Sequence, residues 1–268
     1  MLYNRCMQDY WHKQTLDTPL YPDMLWSRPE NRLLAGKLLI IGGNAHGFAA
    51  AGSAYQAAGK AGIGVARMML PDVLRKVLGR GFDAGEFVPS TPSGSFSQKA
   101  LAEALAMANW ADGVLLAGDL GRNSETAILL EKFSTKYAGA LVITKDAADY
   151  CITMPGACVD RPDTTFVVSL AQLQKLAMAA KFTTAFTFDM DFLRFIEALH
   201  VFTELHPLHI VVKHLDNVFV ASGGQVSSTR VTDDDKVWRV RTAAAAATWW
   251  IQNPSKPFEA LTTGIVTE

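Results

Sequence analysis

The chain predicts an α/β protein built on a doubly wound, mostly parallel sheet of roughly eight strands with helices on both faces. Three observations carry this reading. Short apolar runs rich in valine, isoleucine and leucine recur along the chain, each with the length of a buried strand. Segments with helical spacing separate most of them. The stretch from Lys37 to Pro71 contains the whole repeating unit: an apolar run, a glycine turn, an alanine-rich segment and a second apolar run.

Residues 1–35 carry Trp11, Tyr21, Trp26 and three prolines, Pro19, Pro22 and Pro29, a composition that suits an irregular arm or short helix packed on a neighbour. Residues 38–41 are the first strand, and Gly42, Gly43 and Gly47 provide a loop whose backbone can approach a ligand closely. Residues 49–61 follow as a helix with little side-chain bulk, and residues 62–69 as the next strand. Residues 71–79, PDVLRKVLG, form a short helix with proline at its start and glycine at its end. Residues 79–97 are a polar, glycine-rich loop containing TPSGS, and a loop of that length in a compact domain is mobile or functional.

Residues 97–108 have helical spacing, and residues 113–117 (GVLLA) are a buried strand. The turn GDLGRNSE then offers Asn123 or Ser124 as N-cap of a helix over residues 125–133. Strands at 140–144, 165–169 and 210–213 continue the series, with helices over 170–181 and 189–205 between the last two. Residues 218–222 pair with 225–229 across a Gly223-Gly224 hairpin turn. No linker divides the 268 residues, so residues 1–268 are expected to form one domain, and the alanine run 243–247 is the one low-complexity tract.

Composition restricts the function. A hydrophobic share of 49% with 19% charged residues supports a large core, and a net charge of −1 gives no electrostatic reason to expect nucleic acid. Cys6, Cys151 and Cys158 are too few and too irregular for a disulfide framework or a zinc site, so the expected compartment is the reducing cytoplasm. No run reaches the roughly 18 apolar residues of a membrane span, and the first residues lack a signal peptide's unbroken apolar core. A small-molecule protein fits these limits.

In an open parallel sheet, ligands bind beyond the carboxyl ends of the strands. Four segments meet that description: residues 42–47, 117–121, 145–146 and 213–214. GGNAHG lacks the third glycine of a dinucleotide fingerprint, and there is no GxxxxGK[ST] loop. A structural turn and a ligand loop both remain open for it. Asp146, directly after a strand, either orients a hydroxyl or caps the next helix. Lys213 either meets a phosphate or is a solvated strand-end lysine. His200, His206, His209 and His214 lack the i, i+4 pattern of a metal site, which makes them surface or capping histidines, and no metal site is expected. Asp233 to Asp235 place acidic charge at the start of the final helix, where its dipole favours it.

The ordered set of turns resembles the ADP/ATP-dependent NAD(P)H-hydrate dehydratases, the carbohydrate-kinase-like branch of the ribokinase superfamily. The likeness runs from about Leu25 to Thr263 and implies a ribokinase-like fold. Residues 37–71 resemble the family's opening strand, glycine turn, alanine-rich helix and following strand, with Gly43 and Asn44 in the turn and Ala50 at a substrate-contacting alanine. WADGVLLAGDLGRNSE is similar to the family's second loop, normally a GPGLG turn, with Asp112, Leu120, Gly121 and Arg122 in place. VITKDAAD resembles the aspartate-bearing strand end, with Asp146 in its last acidic position and Thr144 replacing the first. IVVKHLDNVFVA looks like the strand lining the nucleotide site, with Lys213 retained and His214 where glycine is usual. PSKPFEALTTG is similar to the segment that closes the family's final helix.

The resemblance implies repair of hydrated NADH or NADPH, with ADP or ATP and Mg2+ as cofactors, a nucleotide or dinucleotide as small-molecule partner, and a homo-oligomer. Two of the family's motifs are replaced. The proline-histidine-glycine-glutamate loop corresponds to VVSLAQLQKL, which has neither histidine nor glutamate. The GTGD-type turn corresponds to VWRV, with Val240 in the position of the aspartate base; a shifted alignment makes Asp235 the base, still without the glycines. Valine takes no proton, and a general base is worth roughly 10²-fold to 10⁴-fold in rate. Arg239 and Arg241 then offer two cations for a phosphate. The expected function is a divergent NAD(P)H-hydrate dehydratase-like protein; the alternatives are a catalytically inactive ribokinase-like protein that binds nucleotide or forms an oligomer, and a small-molecule kinase.

Overall fold

Alternation along the strands decides the layers. In strand β2 (Lys37–Gly42), Leu38 and Ile40 face one side of the sheet while Leu39 and Ile41 face the other, and all four are buried. A strand that is apolar on both faces requires a helical layer on each, and the computed structural model has both. It describes residues 9–79, 82–231 and 238–267.

The other strands are β1 (Trp11–Gln14), β3 (Val65–Pro71), β4 (Gly85–Val88), β5 (Gly113–Gly118), β6 (Ala140–Thr144), β7 (Thr164–Val168), β8 (His209–His214), β9 (Asn217–Ser222) and β10 (Gln225–Arg230). They form one ten-stranded sheet in the order β1-β10-β9-β8-β7-β6-β5-β2-β3-β4. Its pairings are parallel except where β9 meets β8 and β10.

The helices are α1 (Pro22–Trp26), α2 (Ala49–Ala61), α3 (Arg75–Leu78), α4 (Leu101–Trp110), α5 (Ser124–Lys136), α6 (Lys145–Thr153), α7 (Pro155–Cys158), α8 (Leu170–Ala179), α9 (Phe192–Leu205), α10 (Trp238–Gln252) and α11 (Pro257–Val266). One apolar layer joins Leu39, Ile41, Leu116, Ile143 and Phe166 to residues of α4 to α9. The opposite layer joins Leu38, Ile40, Leu115, Val142 and Val167 to α1, α2, α10 and α11. The alanine tract at 243–247 is buried, four of its residues (Ala243, Ala244, Ala246 and Ala247) inside this second layer, where small side chains let α10 lie close to α2. None of the described helices is long and apolar enough to cross a membrane.

Two expectations are corrected. The sheet has ten strands rather than roughly eight, because the arm at 1–35 supplies β1 and the loop at 79–97 supplies β4. Both are four-residue edge strands whose register comes from distant partners, Val226–Thr229 for β1 and Met68–Pro71 for β4. Such strands owe their existence to pairing, and their own sequence carries no periodic signal. The Gly223-Gly224 hairpin is present as expected, with both glycines at positive φ. Asp233 to Asp235 lie outside the described residues.

Candidate functional site

Three strands end side by side at one edge of the sheet, β2 at Gly42, β5 at Gly118 and β6 at Thr144. The chain continues from each into a loop or directly into a helix, and the loops bond to one another. The Gly43 amide donates to the Gly118 carbonyl at 3.0 Å. The Asn44 side chain donates through Nδ2 to the Asp119 carbonyl at 2.6 Å. The Ala50 amide, in the first turn of α2, donates to Asp119 Oδ2 at 2.7 Å. Asp119 Oδ1 pairs with Lys145 Nζ at 2.7 Å, their side chains 24% and 33% exposed. Asp119 is therefore the hub of the crevice.

Asp146 sits in the first turn of α6, yet it does not cap that helix. Its Oδ2 accepts from the amides of Leu120 at 2.8 Å and Gly121 at 3.2 Å, which ties the β5 loop to the end of β6. Its Oδ1 is buried without a hydrogen-bond partner. Burial is the main reason its carboxyl is held above the usual carboxylate range; the Asp119 carboxylate adds to the rise and the loop amides oppose it. Thr144, at the other acidic position of the resembled motif, is buried and donates to the Val167 carbonyl at 2.8 Å.

Asp119 and Lys145 both have left-handed backbone, at φ 56° and 53°. Non-glycine residues in this region carry strain that the surroundings must hold in place, and such strain clusters at functional positions. The segment 90–97 packs over this edge: Asn123 Nδ2 donates to Ser93 Oγ, and the Ala45 amide donates to the Gly94 carbonyl. Tyr150 Oη donates to the Gly121 carbonyl at 2.6 Å and accepts from the Asn123 amide at 2.8 Å. Asn123 is also the N-cap of α5. Replacing it with alanine is expected to cost about 1 kcal/mol, measurable by urea denaturation.

Gly43, Asn44, Ala50, Gly121 and Asp146 are thus brought together around Asp119: Asn44 and Ala50 bond to it directly, Gly43 bonds to the adjoining Gly118, and Asp146 follows its partner Lys145 in the chain and accepts from the Gly121 amide. A cavity of about 600 Å³ opens beside them, lined by Arg122, Asn123, Tyr150 and Lys175 as well as Gly121 and Asp146.

The nucleotide candidates divide. Lys213 and Arg241 line a second cavity of about 460 Å³, together with Trp238, Thr242 and Lys60. Arg239 is not part of that lining; its Nη1 donates to Gln172 Oε1 at 2.8 Å. Residues two apart on a helix point to opposite sides, so the two arginines of α10 do not share one phosphate. Val240, between them, is 2% exposed in the apolar layer. Asp235 lies outside the described residues.

Gln172 also forms a capping box with Ser169, and its Nε2 donates to the Lys145 carbonyl at 2.7 Å and to Asp149 at 3.1 Å. The segments that stand in for the two replaced motifs are therefore bonded to each other through Arg239 and Gln172. The histidines are occupied separately: His209 with Ser222 at 2.7 Å, His214 with the Met190 carbonyl at 3.1 Å, His200 with the Gly224 carbonyl, and His206 near Asp160 at 3.8 Å.

Asp119, Lys145 and Gln172 escape the residue-by-residue reading. Asp119 and Lys145 lie in segments marked as strand ends, but their pairing crosses 26 positions of sequence. An acidic residue beside a glycine in one strand-end loop and a lysine in the next is the signal that a search for complementary charges would use.

A mostly parallel sheet with helices on both faces and a crevice at its carboxyl edge defines an α/β protein of ribokinase-like fold. A ribokinase-like superfamily protein of Enterococcus faecalis matches with a TM-score of 0.67 at 14% identity, over 97% of this chain and 87% of that one. The ADP/ATP-dependent NAD(P)H-hydrate dehydratase of Bacillus subtilis, co-crystallised with ATP and Mg2+ and soaked with CoA, matches with a TM-score of 0.60 at 10% identity over 92% and 86%. A Bacillus subtilis pyridoxal kinase in complex with ADP matches with a TM-score of 0.52 at 10% identity over 85% and 88%. No protein-family model and no curated protein matches the sequence.

Proposed function

We propose that the protein is a divergent, ribokinase-like nucleotide-binding protein, related in design to the NAD(P)H-hydrate dehydratases. Its nucleotide or dinucleotide lies with its phosphates toward Lys213 and Arg241. One observation supports this above the others: a cavity that places three cations, Lys60, Lys213 and Arg241, and the Trp238 ring together, suited to phosphate on one side and a base or ring on the other. The dehydratase and pyridoxal kinase of like fold were crystallised with ATP and with ADP, which is in keeping with this reading.

Binding is favoured over turnover because Val240 is buried where a base would stand and Arg239 is committed to Gln172. ADP or ATP with Mg2+ is expected to raise the melting temperature of the wild-type protein. Lys213→Ala and Arg241→Ala are each expected to raise the dissociation constant about tenfold, the scale of one lost charge-assisted hydrogen bond, and to reduce that stabilisation accordingly. Thermal shift and calorimetric titration measure both. A wild-type protein that neither nucleotide stabilises overturns the reading.

The dehydratase reading has one observation of its own. Asp119, Asp146 and Lys145 gather titratable groups at the crevice, and the Asp146 carboxyl is raised. Its test is the return of NADH absorbance from hydrated NADH when ADP or ATP is present; absence of any return at high protein concentration leaves the binding function alone.

A further inference from the structure

We propose that Asp119 is the specificity-determining residue of the crevice: its carboxylate fills the anion seat at the start of α2, barring a ligand phosphate there and leaving the uncharged part of the ligand to face Asn44 and Asp119. The inference rests on the nucleotide reading only for which end of the ligand lies at this edge.

A strand, a glycine loop and a helix starting at the strand's carboxyl end form a unit that ordinarily receives a phosphate, because the first amides of the helix and its dipole point at one spot. Here β2, the loop at 42–47 and the 13-residue α2 make that unit. The N-cap residue, Phe48, gives the helix no side-chain hydrogen bond. The Ala50 amide instead meets Asp119 Oδ2 at 2.7 Å, from a loop 69 positions away.

Three further restraints keep the carboxylate in the seat. Lys145 Nζ holds the second oxygen at 2.7 Å, Asn44 Nδ2 holds the residue's carbonyl at 2.6 Å, and the backbone of Asp119 is left-handed. Aspartate is among the few side-chain-bearing residues that accept that conformation. An incoming phosphate finds the Ala50 amide already bonded and the lysine already paired. It also meets a second carboxyl nearby, that of Asp146.

Asp119→Gly tests this directly, since glycine takes the same backbone conformation without strain. The variant exposes the α2 amide and frees Lys145. Inorganic phosphate, titrated at constant ionic strength with chloride as control, is expected to stabilise Asp119→Gly saturably and at least tenfold more tightly than it does wild type. Adding Lys145→Met to that variant is expected to abolish the gain. In wild-type protein the Ala50 amide resonance is expected to stay unmoved through the same titration.

A folded Asp119→Gly protein that gains no phosphate binding overturns the proposal, and so does movement of the wild-type Ala50 resonance with phosphate. The second measurement decides the matter if the variant does not fold. Neither uses a nucleotide, so failure of ADP and ATP to bind strikes the proposed function alone.

Discussion

Replacing Gly118 with valine is expected to destabilise the protein by about 3 to 5 kcal/mol and to disorganise the crevice with it. Gly118 ends β5 at φ 100°, a conformation that a β-branched residue adopts only under strain. A Cβ there lies 2.7 Å from Asp146 Oδ1 and 2.7 Å from Lys145 Cβ. Neither is the free end of a flexible chain: Asp146 is anchored by the Leu120 and Gly121 amides, and the Lys145 Cβ moves only with its backbone. Relief of the clash pushes α6 from β5 and breaks the Asp119–Lys145 pair. Urea denaturation gives the stability change, and loss of the nucleotide-dependent stabilisation proposed above, in the fraction still folded, gives the effect on the site. A cost below about 1 kcal/mol contradicts the packing described here.

Acid is expected to destabilise the fold through His209. Burial, the dominant cause, depresses its pKa from 6.5 to about 4, while the Asp163 carboxylate pulls weakly the other way. The folded protein therefore keeps His209 neutral where the unfolded chain takes up a proton. Its contribution is fully present above pH 6.5 and is lost as the pH falls from 6.5 toward 4. The loss reaches about 2 kcal/mol at pH 5 and approaches about 3 kcal/mol at pH 4.

Asp146 works in the opposite sense: its raised carboxyl favours the folded state in acid and costs stability as the pH rises. The difference between wild type and His209→Asn separates the two, because asparagine can keep a hydrogen bond to Ser222 without titrating in this range. Denaturant midpoints between pH 7 and pH 4.5 are expected to fall more steeply for wild type. Parallel slopes would contradict the assignment.

The central strands and the helices between them were legible because each carries its own period. Leu38 to Ile41 are apolar on both faces, the segment 49–61 is alanine-rich at helical spacing, and Gly223-Gly224 specifies a hairpin over a few residues. Asn123 was legible as a cap for the same local reason. Three of the four marked strand ends, at 42–47, 117–121 and 145–146, also came together, since β2, β5 and β6 are parallel neighbours whose carboxyl ends align whatever their side chains, while Lys213 lines a separate cavity.

Where each side chain at that edge points was not legible. Asp119 stands where the resembled GPGLG turn has glycine, so a comparison of patterns registers it only as a departure. Arg239 and Arg241 read as one cationic pair until the turn of α10 sends them to Gln172 and to the Lys213 cavity respectively. The sequence by itself determined the order of elements, the two-faced sheet and the glycine loop at 42–47, because local periodicity and turn chemistry act over a few residues. Only the tertiary structure decided the edge strands β1 and β4, the carboxylate seated on α2 and the pairing of Asp119 with Lys145. Each of these is an interaction between groups far apart in the chain, and no local propensity encodes its geometry.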